Sequence, residues 1–225
     1  VVNGFDAFAT WVHAFIPGKH SPERVVVWDN GISMGTQGLK GLWKIASSPK
    51  QEIPKRIKRG PDGRERKLIG KFGIGKLASY TVGDTITHLC RKGAQFLLVR
   101  INYSDVTSSL EPEAGDATTR CSDDGGTSDK GNNDEQSSRG VYQSPIHELN
   151  EDDARRFVES QFSLLPQGFD ELFNESEWTF AMISDLKRDD LYEGRLSWVL
   201  GNGMPLRPDF KVWVNETEVE PKLER

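Results

Sequence analysis

Apolar residues recur along the chain at two periods, close to two and close to 3.6 residues, and the switching between them predicts a mixed fold. Residues 1–9 read as the end of a helix, and residues 10–16 and 24–28 as strands joined across a Pro17-Gly18 turn. Leu39, Leu42, Trp43 and Ala46 have helical spacing. A glycine-rich stretch runs into a helix at 77–80, and residues 85–87 and 95–101 read as strands paired around Lys92-Gly93. Asn150, with Asp153 three residues on, opens a helix through residue 162. A buried strand follows at 178–183, a helix at 191–200, and a hairpin of 210–214 with 218–219 across Asn215-Glu216. Strands both follow one another and alternate with helices. The expected fold is therefore an α/β (α+β) two-layer sandwich, a mixed and mostly antiparallel sheet with helices on one face.

The 225 residues suit one domain, 1–225, and 36% hydrophobic content excludes wholesale disorder. The longest apolar runs, such as Phe96-Leu97-Leu98-Val99, fall far short of the roughly 20 residues that a membrane span needs. No membrane partner is expected. Cys90 and Cys121 form neither a disulfide framework nor a C-x-x-C pair, so a reducing cytoplasm is the expected location. His13, His20, His88 and His147 have no metal-ligand spacing.

Charge is uneven. Residues 104–140 hold nine acids and three bases, net -6, so the remainder of a chain of net charge -5 carries +1. That stretch is rich in Ser, Thr, Gly, Asp and Asn and reads as a disordered acidic insertion. Residues 50–76 show the reverse, ten bases against Glu52, Asp62 and Glu65, and lead into glycines. A polyphosphate ligand is favoured there over nucleic acid, because the acidic total leaves no general basic face.

The glycine segment Gly70-Lys71-Phe72-Gly73-Ile74-Gly75-Lys76-Leu77 fits the opening of a P-loop and then fails, since Leu77 stands where Ser or Thr must hold magnesium. What remains is three glycines at a helix start, whose bare N–H groups can approach phosphate, with Lys76 adding a charge. Asp29-Asn30-Gly31-Ile32-Ser33-Met34 places an acid at the end of an apolar strand. There Asp29 can accept from an exocyclic amine such as adenine N6, Gly31 lets a flat ring approach, and Met34 can pack on its face. Taken singly, that segment also reads as an ordinary Asn-Gly turn. Asn3, Asp6 and Ala7 lie about one turn apart on the first helix, and the Asn3 amide oxygen suits Mg²⁺, which takes few protein ligands. Thr179 is a lone hydroxyl on an apolar strand, read as readily as an ordinary sheet threonine.

In this order, these four segments resemble the GHKL superfamily of ATPases: gyrase, the ninety-kilodalton heat-shock chaperones, histidine kinases and MutL. Asn3-Gly4-Phe5-Asp6-Ala7 is similar to the family's N-box, Asp29 to Met34 to its adenine box, and Gly70 to Gly75 to its second glycine box, nearest the chaperone branch. The resemblance implies that Asn3 coordinates Mg²⁺, that Asp29 binds adenine with Thr179 sharing a bridging water, and that Gly73 and Gly75 cradle phosphate. It implies a lid-like segment within 35–69, its mobile part at 47–69, and makes 190–225 a C-terminal helix and hairpin extension.

Ser33 departs from the family, which usually has Gly there. The chaperone and MutL branches carry a general-base Glu four residues before the N-box Asn, a position preceding Val1, so no catalytic residue is visible and a fragment or trimmed chain is expected. The implied function is Mg²⁺-dependent ATP binding and hydrolysis driving a conformational switch, with ATP and ADP as ligands and any homodimer formed through other domains. The alternatives are a nucleotide-sensing module without turnover, in a DNA-repair or phage-defence assembly, and the ATP-binding domain of a histidine kinase.

Overall fold

The computed structural model describes residues 1–21, 23–43, 57–70, 75–108 and 144–222. Helix α1 (Val2–Asp6) leads to β1 (Trp11–Phe15) and β2 (Val25–Asp29). Then come α2 (Thr36–Lys40), continued by a 3-10 turn at Gly41–Trp43, and a separate hairpin of β3 (Ile57–Arg59) and β4 (Glu65–Lys67). Helix α3 (Gly75–Tyr80) precedes the long pair β5 (Gly83–Lys92) and β6 (Gln95–Asn102), which turns at Gly93 with φ +61°. Next are α4 (Tyr103–Ser108), β7 (Ile146–Leu149), α5 (Glu151–Glu159), α6 (Phe169–Asn174) and β8 (Glu177–Leu186). Helix α7 (Glu193–Gly203) and strands β9 (Lys211–Val214) and β10 (Thr217–Glu218) follow.

Local chemistry sets several of these bounds. Asn150 caps α5, its Oδ1 accepting the Asp153 N–H at 2.8 Å. Asn215 and Glu216 both take positive φ, 45° and 72°, the backbone of a tight hairpin turn whose twist matches its strands. Residues 104–108 belong to α4, so the first part of the expected insertion is helical. Its remainder lies outside the described residues.

Eight strands form one sheet in the order β10-β9-β1-β2-β8-β5-β6-β7. Only β1 and β9 run parallel, so the sheet is mixed and mostly antiparallel as expected. The C-terminal extension is thus built into the sheet rather than appended to it.

The layering goes beyond two. On one face Phe15, Val26, Trp28, Leu89, Phe96, Trp178, Phe180 and Met182 pack beneath Ala154 and Val158 of α5 and Phe169, Leu172 and Phe173 of α6. On the other, Phe5 of α1 and Leu200 of α7 cover Val12, Ala14, Val212 and Val214. Leu39 of α2, with Tyr80 and Val106 beside it, covers Cys90, Leu97, Val99 and Ile101. The expected helices on one face are present, and α5 and α6 add a third layer. The reason lies in the strands: β1 and β6 carry large apolar side chains at both parities, so both faces need cover. Between the two clusters of the second face, Val27, Thr179, Ala181 and His88 stay half-buried.

Candidate functional site

Sheet register brings Asp29, Thr179 and Cys90 into one row across β2, β8 and β5, with Val27, Ala181 and His88 in the next row on the same face. Asp29 ends its strand with 8% of its surface exposed. Burial pushes its carboxyl up to about 6, against the opposing pull of the Gly31 N–H. Its Oδ1 accepts that N–H at 3.0 Å, and among the described residues no hydrogen bond reaches Oδ2. That second oxygen faces α1, 3.1 Å from where a Cβ at Gly4 would lie.

Helix α1 closes over this acid. A Cβ added at Gly4 would lie 3.0 Å from the Asp29 Cγ, and one at Gly31 would lie 2.9 Å from both the Ala7 carbonyl oxygen and the Asp29 Oδ1. At Gly31 only glycine fits without displacing the Ala7 backbone, while at Gly4 a larger residue would push the Asp29 side chain. The Ile32 N–H donates to the Ala7 carbonyl at 2.7 Å, which fixes the turn to the end of the helix. Asn30 clamps the other side: its Oδ1 accepts the Thr10 and Trp11 N–H groups at 2.9 and 3.1 Å, and its Nδ2 donates to Thr10 Oγ1 and Glu175 Oε1.

Ser33 is buried and its hydroxyl donates to the Trp178 carbonyl at 2.7 Å, 3.2 Å from Thr179 Oγ1. Its N–H donates to Glu177 Oε2 at 2.9 Å, and its carbonyl accepts from Lys92 Nζ at 3.3 Å. The hydroxyl that departs from the family thus ties the turn to β8 and touches Thr179. Met34 is half-buried against the cluster of Leu39 and Cys90.

Asn3 and Asp6 share α1 and differ in setting. Asn3 is exposed, whereas Asp6 is 3% exposed, with Oδ1 accepting the Ile69 N–H at 2.9 Å and Oδ2 the Gly70 N–H at 3.0 Å. Asp6 therefore holds the start of the glycine segment. Phe72, Gly73 and Ile74 lie outside the described residues, and Gly75 and Lys76 are the first two residues of α3. Among the described residues no group of three or more His, Cys, Asp or Glu could hold a metal, and no helix is long and apolar enough to cross a membrane.

Behind α1 stands a residue that sequence patterns read as surface charge. Arg66 of β4 is 1% exposed. Its guanidinium donates to the carbonyls of Phe5, Ala9 and Asp209 at 3.0, 2.8 and 3.1 Å, and lies 3.5 Å from the Asp209 carboxylate. Its Cζ is 4.8, 5.4 and 5.5 Å from the ring centroids of Phe5, Phe8 and Phe210. Only the three-dimensional fold joins these partners, so no sequence signal marks them. Ser33 and Asn30 were visible only as a departure and as a turn residue.

The mixed sheet thus carries a buried strand-end acid under a glycine-bearing helix. Residues 1–125 match the family described as histidine kinase-, DNA gyrase B-, and HSP90-like ATPase, and the chain belongs to that family. Among curated proteins it is similar to the chaperone protein HtpG of Rickettsia bellii, 32% identical over 81 residues, 36% of this chain and 13% of the relative. It is likewise similar to HtpG of Rhodopseudomonas palustris, 37% identical over 75 residues, 33% of this chain and 12% of the relative. The chain thus spans about an eighth of the length of these relatives. Among solved structures, the ATPase and transducer domains of DNA topoisomerase II from Balamuthia mandrillaris align at TM-score 0.47 and 11% identity, covering 97% of this chain and 46% of that one.

Proposed function

We propose that this chain binds ATP together with Mg²⁺ in the cleft between α1 and α2, and that binding and hydrolysis drive a conformational switch in a chaperone-like protein. The supporting observation is Asp29: a buried carboxylate with one oxygen fixed by Gly31 and no hydrogen bond to the other among the described residues suits the exocyclic amine of adenine. Thr179, held beside it by Ser33, would share a bridging water with the base, and Gly31 with Met34 would border its ring. Asn3, on the exposed side of α1, would offer an amide oxygen to Mg²⁺, and the amides at the start of α3 with Lys76 would meet phosphate. Bound Mg²⁺ would neutralise phosphate charge as water attacks the γ-phosphate, while the chain positions the nucleotide and the lid-like segment at 35–69 responds to it.

The test is calorimetric titration of Mg-ATP into the parent chain and the Asp29→Asn variant. Loss of a charge-assisted bond of about 1.5–3 kcal/mol should weaken binding roughly 10- to 150-fold. Equal affinities in the two proteins would remove Asp29 from the site. Phosphate release then separates a hydrolase from a module that binds without turnover, and EDTA that leaves affinity unchanged would remove Asn3 as a metal ligand.

A further inference from the structure

The sheet carries a concavity on the face opposite Asp29. Helix α5 ends at Glu159, and past Phe157 and Gln161 helical cover stops over β2, β8, β5 and β6. The groove left there measures about 780 Å³, within the range of small-molecule sites. Its floor is apolar at Leu98 and Met182, and Phe157 borders it.

Two arginines flank that floor. Val25 pairs with Ile183, which places Arg24 beside Ser184, and Thr87 pairs with Arg100. Ser184 in turn pairs with Thr85, and Thr87 with Met182, so Arg100 sits two residues along the strands from the row of Arg24; Arg24, Ser184, Thr87 and Arg100 all line the groove. Three inter-strand spacings of ~4.8 Å and an offset of ~6.8 Å along the strands separate the arginines by about 16 Å at the backbone, so their long side chains flank a space one small molecule wide. Arg24 spends one N–H on the Gln161 carbonyl at 3.4 Å. Arg100 has no side-chain hydrogen bond or ion pair with a described residue. Thr87 is 2% exposed and its Oγ1 has no partner among the described residues, which is uncommon for a buried hydroxyl. Glu23, Asp185 and Asp189 also border the groove, and Arg188 there is paired with Asp190 at 2.6 Å. Those acids disfavour a polyanion and so select against a nucleotide triphosphate.

We propose that this groove binds a small organic anion, one carboxylate or phosphate-monoester head between Arg24 and Arg100 with an apolar body on Leu98, Met182 and Phe157. The guanidinium forks supply bidentate donors, and the Ser184 hydroxyl supplies a further polar contact. The site lies on the other side of the sheet from Asp29 and does not depend on the nucleotide assignment.

The test uses the aromatic anion 1-anilinonaphthalene-8-sulfonate, followed by fluorescence, with phenyl phosphate and 3-phenylpropionate as competitors to tell the two head groups apart. Saturable binding displaced by at least one competitor is expected. It should weaken about tenfold or more in the Arg24→Ala, Arg100→Ala double variant and be unchanged in Asp29→Asn. Retention of binding by Arg24→Lys, Arg100→Lys would show that charge matters, and matching circular dichroism melts would show that each variant folds. Dye binding that survives the alanine double variant, or that falls instead with Asp29→Asn, would overturn the proposal.

Discussion

Gly70 is held by Asp6: the backbone N–H of the first glycine-box residue donates at 3.0 Å to a carboxylate oxygen from the N-terminal helix, and the neighbouring Ile69 N–H donates to the other oxygen. The helix proposed to meet Mg²⁺ is therefore bonded to the residue that opens the segment proposed to meet phosphate. A change in either is felt by the other.

Replacing Asp6 with Ala should strand two backbone amides and cost about 2 kcal/mol of stability, read as a lower urea midpoint at unchanged slope. ATP affinity should fall while adenosine affinity holds, since only the phosphate end loses its support. Equal losses for both ligands would place Asp6 at the base instead.

The Asp29 carboxyl titrates near 6 when folded, against an ordinary value of 3.8, and burial is the main cause. Because the folded value is raised, this group adds stability below about pH 4 and that contribution disappears as pH rises through 6. Base binding needs the ionised form and runs the other way. ATP affinity should be flat from pH 8 to 7 and drop about tenfold per pH unit well below 6, with adenine itself still neutral. Calorimetry between pH 7.5 and 5 checks this, and a flat profile would mean that Asp29 does not accept from the ligand.

Ser33→Gly restores the family's usual residue, yet it should weaken this protein. It removes the hydroxyl bond to the Trp178 carbonyl and the contact with Thr179, about 1 kcal/mol. The backbone bond to Glu177 should persist in the variant. A melting temperature equal to or above the parent's would show that the hydroxyl is dispensable.

Arg66→Met keeps much of the side-chain volume and strips three carbonyls of their donor, a loss of at least about 2 kcal/mol. Asp209→Asn should cost less, since that carboxylate is 35% exposed and its backbone carbonyl still accepts from Arg66. Urea denaturation of the two variants orders them, and the reverse order would mean that the ion pair outweighs the carbonyl contacts.

Strand alternation, the Asn150 cap and the Asn215-Glu216 turn were legible because each depends on neighbours in sequence. Strand β7 was not: its centre, His147-Glu148, is exposed at the sheet edge and carries no apolar signal. Helix α6 is short and opens at Gly168 with φ +83°, a residue that reads as a break. The Asp29 turn could be found from its own residues, but Asn30 binds Thr10 and Glu175, far away along the chain. The same holds for Arg66, whose charge-dense surroundings resemble a solvated surface while the fold seats it among three aromatic rings.

That seat bears on where a hinge can lie. The family resemblance assigns residues through 69 to a segment that swings, but a guanidinium enclosed by Phe5, Phe8 and Phe210 and bonded to Asp209 rivets the end of β4 to the first helix and the last third of the chain. A swinging part held by that rivet would pivot ahead of it. The hairpin of β3 and β4 would then act as a fixed post, and a displacement ahead of it would be transmitted through Arg66 into β9, the strand between β1 and β10.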